Sequence, residues 1–177
     1  MDFDGFKRLR WIWVATFSLL VFALLAGTIY VAKWQSTDRP LQAGLSKLAY
    51  VRGVHLEQDG RELVVKISLG EVSDLAAAYG EMESLVAAAW RGKPYRLVLH
   101  DTRGAELTAL WRETQFAVYE AVQTGGYIAM VRAIGEAAVS RGIRTSLAMD
   151  ARYLYVHYQK DSYHLCEVIP RGEEKGR

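Results

Sequence analysis

Residues 54–67 read VHLEQDGRELVVKI, two alternating runs that meet at Asp59-Gly60. Asp-Gly accepts the positive φ angles of a two-residue type I′ turn, whose twist matches that of the strands it joins. Pairing outward from such a turn sets Gln58 against Arg61, Leu56 against Leu63 and Val54 against Val65. Val54, Leu56, Leu63, Val65 and Ile67 then share one face, and His55, Glu57, Glu62 and Lys66 the other. A period of two marks a half-buried hairpin. Its one blemish is that Glu57 and Glu62 face each other as like charges.

Downstream the period changes. Val72, Leu75, Tyr79, Met82, Val86 and Trp90 recur at three- and four-residue steps, predicting a helix over about 73–90 that stops at Gly92 and Pro94. A nearly continuous apolar run, YRLVLH at 95–100, is the third strand. Two helices follow, at about 105–123 and 127–141, split by Gly125-Gly126. Their apolar stripes are Leu107, Leu110, Trp111, Thr114, Val118 and Ala121, then Tyr127, Val131, Ile134 and Ala138. Strands at 143–149, 153–159 and 163–169 close the domain. The order ββαβ-αα-βββ predicts an α+β fold, with helices packed on one face of a mostly antiparallel sheet. The second hairpin, LYVHYQKDSYHLCEVI, repeats the pattern of the first, although hairpins converge on such patterns readily.

Upstream lies a segment of another kind. Residues 11–32, WIWVATFSLLVFALLAGTIYVA, carry no charge over 22 positions. As a helix they would extend about 33 Å, enough to cross a hydrocarbon core of about 30 Å. Trp11 and Trp13 mark one end and Tyr30 and Trp34 the other, as interfacial aromatics do. A buried helix of a soluble domain is rarely so long and apolar all round. A cleaved signal peptide has a shorter apolar stretch, ending in a small-residue site. The segment therefore reads as a transmembrane signal anchor. Lys7, Arg8 and Arg10 precede it, against Lys33 and the Asp38/Arg39 pair after it, which places the N-terminus in the cytoplasm. The expected plan is a cytoplasmic N-terminus (1–10), the anchor (11–34), a short polar linker (35–40), an extracytoplasmic α+β domain (41–170) and a disordered charged tail (171–177). A brief helix over about 41–50 opens the domain behind Pro40.

The net charge of +2 belongs to the anchor. Four basic residues and two acidic ones precede Gln35, leaving 18 of each sign in the remainder. A neutral domain lacks the clustered Lys and Arg that phosphate backbones require, so nucleic acid is not an expected partner. Cys166 stands alone, which excludes an internal disulfide.

Two constellations could carry chemistry. With a two-residue turn at Lys160-Asp161, Leu154, Val156, Tyr158, Tyr163, Leu165 and Ile169 form one face of the last hairpin. Tyr155, His157, Gln159, Ser162, His164 and Cys166 form the other. Two imidazoles and a thiol on adjacent strands could ligate zinc or copper, but no fourth ligand or known spacing supports this. The plainer expectation is a polar, tyrosine-rich outer face, from which Tyr153 and Tyr155 could anchor a partner. The second constellation is His100-Asp101-Thr102-Arg103-Gly104, an acid and a base at a strand end. There Asp101 or Thr102 is equally suited to cap the next helix.

No nucleophile elbow, phosphate loop or dinucleotide fingerprint occurs, and no cofactor is expected. The expectation is a bitopic protein held in the lipid bilayer whose domain binds another membrane or envelope protein, or itself. The alternative is a membrane-bound enzyme or metal-binding domain using His157, His164 and Cys166, or His100 and Asp101.

Overall fold

The Asp-Gly hairpin forms one step later than its sequence suggests. In the computed structural model, which describes residues 39–172 together with Leu19 and Val21, strand β1 (Val51–Asp59) turns through Gly60-Arg61 into β2 (Glu62–Leu69). Asp59 pairs with Glu62, Leu56 with Val65 and Val54 with Ile67. The positive φ, +60°, falls on Gly60 at the first loop position, where the absent Cβ removes the steric cost. The shift also separates the two glutamates: Glu57 now bonds Lys66 at 2.5 Å. Because pairing moves by two residues, every side chain keeps its expected face. Leu63, Val65 and Ile67 are buried.

Helix α1 (Arg39–Leu45) precedes β1, shorter than expected. After β2, Asp74 caps helix α2 (Leu75–Trp90) by accepting from the Ala77 N–H at 3.0 Å. The whole predicted stripe from Val72 to Trp90 is buried. α2 returns the chain to β3 (Tyr95–His100), parallel to β2, so the first sheet has the order β1-β2-β3. Helices α3 (Ala105–Thr124) and α4 (Tyr127–Val139) lead into β4 (Arg144–Met149), β5 (Tyr153–Lys160) and β6 (Tyr163–Pro170), an antiparallel sheet of order β4-β5-β6. The second hairpin also turns one residue late, through Asp161-Ser162, with Asp161 at φ +53°. Aspartate tolerates the left-handed region better than the lysine before it.

The fold is α+β, but its strands form two small sheets and not one. β3 and β6 approach only where their strands end. There the His164 N–H donates to Thr102 O at 3.1 Å, and the Cys166 N–H donates to the Asp101 carboxylate at 2.7 Å. A side chain has taken the place of the next ladder bond, and the chain turns away into α3. The helices also do not share one face. Leu107, Leu110, Val118 and Ala121 of α3 and Met130, Ile134 and Ala138 of α4 pack on Leu154, Val156, Tyr158, Leu165 and Ile169. α2 covers the opposite face, its Tyr79 ring lying edge-on to Tyr153 and Tyr155 at 5.2 and 5.9 Å. In α4 the predicted Ile134 and Ala138 are buried and Tyr127 packs against the same core, but Met130 is buried in place of Val131, which is half exposed.

The chain divides into two units at Leu41, and all six strands belong to the second. Among the described residues no helix is long and apolar enough to cross a membrane. The anchor expected at 11–34, with Trp11, Trp13, Tyr30 and Trp34, lies outside them apart from Leu19 and Val21, both helical and exposed. Of the charged tail, Arg171 is ordered: its backbone N–H donates to Arg152 O at 2.8 Å and its Nε to the Tyr127 hydroxyl at 3.0 Å.

Candidate functional site

The β4–β6 sheet gathers every sequence-predicted chemical group except His100 and Asp101. Direct pairing sets His157 against Cys166 and Gln159 against His164, so both imidazoles and the thiol share one face with Tyr155. That face is not an outer surface. Tyr155, His157, His164 and Cys166 are each at most 5 % exposed, because α2 and the segment after β2 lie over them. Tyr155 therefore offers nothing to an external partner; its hydroxyl donates to Asp150 at 2.7 Å. Tyr153 is half-buried against Tyr79.

Sharing a face does not make a metal site. Among the described residues no three His, Cys, Asp or Glu side chains converge to hold a metal ion. His164 is occupied, its Nε2–H donating to Leu69 O at 3.2 Å. Burial, with the neighbouring Asp101 charge, pushes the Cys166 thiol up to about 12, so it stays protonated where a ligand or nucleophile needs the thiolate. His157 is neutral for the same first reason: burial lowers its pKa, nearby His164 adds to the effect, and Asp101 opposes it.

His100 and Asp101 part company at the end of β3. His100 is exposed. The Asp101 side chain, 3 % exposed, turns inward to the Cys166 N–H and to Arg103, which it grips through both oxygens at 2.7 and 2.8 Å. Arg103 also reaches Glu167 at 3.0 Å. Neither Asp101 nor Thr102 caps α3, whose N-cap is Gly104 with no side-chain bond. Asp101 instead ties the end of β3 to β6.

Two features escaped sequence reading. One is the cluster where Arg152 bonds both oxygens of buried Glu83, Oε1 at 2.9 Å, beside the Tyr79, Tyr153 and Tyr155 rings. These residues are far apart in sequence, and only Glu83 on the buried side of α2 hinted at a partner. The other is a cavity of about 560 Å³ between the start of α2 and the β4–β5 surface. Its wall includes Glu71, Ser73, Arg144, Ser146, His157 and Gln159. The Nε2 of His157 is buried without a hydrogen-bond partner. Buried polar atoms are nearly always paired, so this one sets the cavity apart. No known protein-family model, curated protein or solved structure matches the chain.

Proposed function

We propose that the chain is a single-pass membrane protein whose domain, 41–170, lies outside the cytoplasm and docks on another protein of the membrane or envelope through the outward surfaces of α3 and α4. One observation carries the docking surface. Among the described residues from Gln42 onward, the exposed large apolar side chains are Phe116 and Tyr119 on α3, Ile128, Val131 and Val139 on α4, and Met149 and Tyr163 elsewhere. Phe116, Ile128 and Val139 are 74 to 82 % exposed, on helices whose opposite sides are fully packed. Single exposed apolar residues are ordinary, whereas a helical pair that concentrates them marks a contact surface.

Charge favours a protein over lipid as the occupant. The same two helices carry Arg112 and Arg132 alongside Glu113, Glu120 and Glu136. A membrane-lying face would be enriched in Lys and Arg. The 22 uncharged residues at 11–32 and the basic residues before them support the anchor and its orientation.

Support for an enzyme or metal-binding domain is thinner. His164 is engaged, Cys166 is held protonated, and His100 and Asp101 point apart.

Crosslinking and affinity recovery of the full-length protein from native membranes test the docking. A partner recovered with the native chain should be lost with Phe116→Ser and Ile128→Ser and kept with Met149→Ser. Recovery of the chain alone, or only with itself, would overturn the reading. Protease accessibility in spheroplasts against sealed inverted vesicles tests the orientation: a domain outside the cytoplasm should be cut in spheroplasts and protected in the inverted vesicles, and the opposite pattern would overturn the assignment.

A further inference from the structure

The cavity beside His157 is built from strand pairing. Arg144 pairs with Gln159 and Ser146 with His157, so β4 and β5 present these four side chains on one face. From the other side the segment leading into α2 brings Glu71 and Ser73, and Gln159 Nε2 donates to Glu71 Oε1 at 3.2 Å. About 560 Å³ is within the range of small-molecule sites.

The lining selects among ligands. It holds one guanidinium and one carboxylate, both exposed, with hydroxyls, an amide and an imidazole between them. Arg144 has no carboxylate partner among the described residues. A simple anion such as phosphate would gain from Arg144 and be repelled by Glu71, and a simple cation would meet the reverse. A molecule carrying both charges gains from both. The inner wall has one further demand. His157 is 5 % exposed, and its Nε2 has no partner from the protein. Because that nitrogen makes no bond within the protein, a ligand group that met it would break none. The ring is neutral, since burial lowers its pKa, and a neutral imidazole can either donate or accept.

We propose that this cavity binds a small zwitterion of the amino-acid class, a free amino acid or a dipeptide, with its carboxylate on Arg144, its ammonium on Glu71 and a further polar group on His157. The inference is independent of the docking surface, which lies on other elements. It also gives the unpaired imidazole nitrogen a partner, which the rest of the fold does not.

Calorimetric titration of the full-length protein in detergent micelles is the test. The probes are the free L-amino acids and Ala-Ala, their N-acetyl and C-amide forms, and inorganic phosphate. Saturable binding of at least one zwitterion is expected below about 10 mM, weakened roughly tenfold or more when either charge is blocked. Arg144→Ala should weaken the native ligand by a similar factor. Glu71→Gln should do the same and also remove the preference for a free amine over its N-acetyl form. Both residues are exposed, so both variants should fold, as thermal melting would verify. The proposal is overturned if no zwitterion saturates the protein, if blocked and free forms bind alike, if phosphate alone binds, or if neither substitution changes affinity. Amino acid against dipeptide affinity tells which of the two the cavity holds.

Discussion

The two faces of the β4–β6 sheet are buried to nearly the same extent by different means. On one, Leu154, Val156, Tyr158, Leu165 and Ile169 meet the apolar sides of α3 and α4. On the other, Tyr155, His157, His164 and Cys166 meet α2 and the segments after β2 and β3 through rings, hydrogen bonds and one unpaired nitrogen. The apolar face gains from area, which is not directional and tolerates repacking. The polar face gains little net energy from each bond but loses much when one is left unmade. It is therefore the face where specific recognition can be built, and the cavity opens there.

The sharpest way to break this comparison is at neighbouring residues. Leu165 points into the apolar core and Cys166 to the polar face. Leu165→Ala should cost about 2–5 kcal/mol, the lost transfer energy plus a cavity. Cys166→Ala removes one small group and keeps the backbone N–H bond to Asp101, so about 1 kcal/mol is expected. Urea denaturation of the full-length protein, followed by circular dichroism, measures both. Equal losses would mean that the two faces are packed alike.

Next in size is the joint between the sheets. Asp101→Ala strands the Cys166 N–H and leaves Arg103 with only Glu167, for an expected loss of about 1–3 kcal/mol in the same measurement. Asp101→Asn, which can still accept from Cys166, should recover part of it. If the alanine variant is as stable as the native protein, the carboxylate does not hold β3 to β6.

A smaller change probes the one polar device inside the apolar face. The Tyr158 hydroxyl sits 2.9 Å from Thr114 Oγ1, which also bonds Leu110 O at 2.8 Å. Tyr158→Phe leaves Thr114 with its carbonyl partner, so no donor is orphaned. The expected cost is about 0.5–1.5 kcal/mol, read from the shift of the urea midpoint.

What the sequence made legible follows the same division. Period-two and period-3.6 patterns located every strand, the three longer helices and most of the apolar core, because those elements are set by where hydrocarbon must go. Parity also survived: both hairpins paired two residues away from expectation without exchanging faces. Exposure did not. The face of Tyr155, His157 and Cys166 looked like a surface because it is polar, and only the helix packed across it makes it interior. Asp101 was misread in the same way, as a local helix cap, because its true partner is 65 residues further along. The cavity was illegible for the same reason: Glu71, Arg144 and His157 come together only after the two halves pack.

The smallest effect tests whether the polar face is sealed, and it turns on pH. His157 has a lowered pKa in the folded protein, against 6.5 for the free group, first through burial and then through His164, with Asp101 opposing. The unfolded chain therefore binds the proton more tightly. Stability should be fully present above about pH 6.5 and fall as pH drops through the folded value, since the slope follows the excess protons bound by the unfolded state. The charged and titratable groups around the ring are His164 and Cys166 on β6, Asp101 after β3, Glu71 before α2 and Arg144 on β4. All of them remain in His157→Gln, so the difference between the two pH profiles isolates this imidazole. Urea midpoints for both proteins between pH 5 and 8 should run parallel above about pH 6.5 and diverge below it, the native protein losing more. Profiles that stay parallel throughout would mean that the ring is already hydrated, and that the nitrogen left unpaired by the protein is satisfied by water.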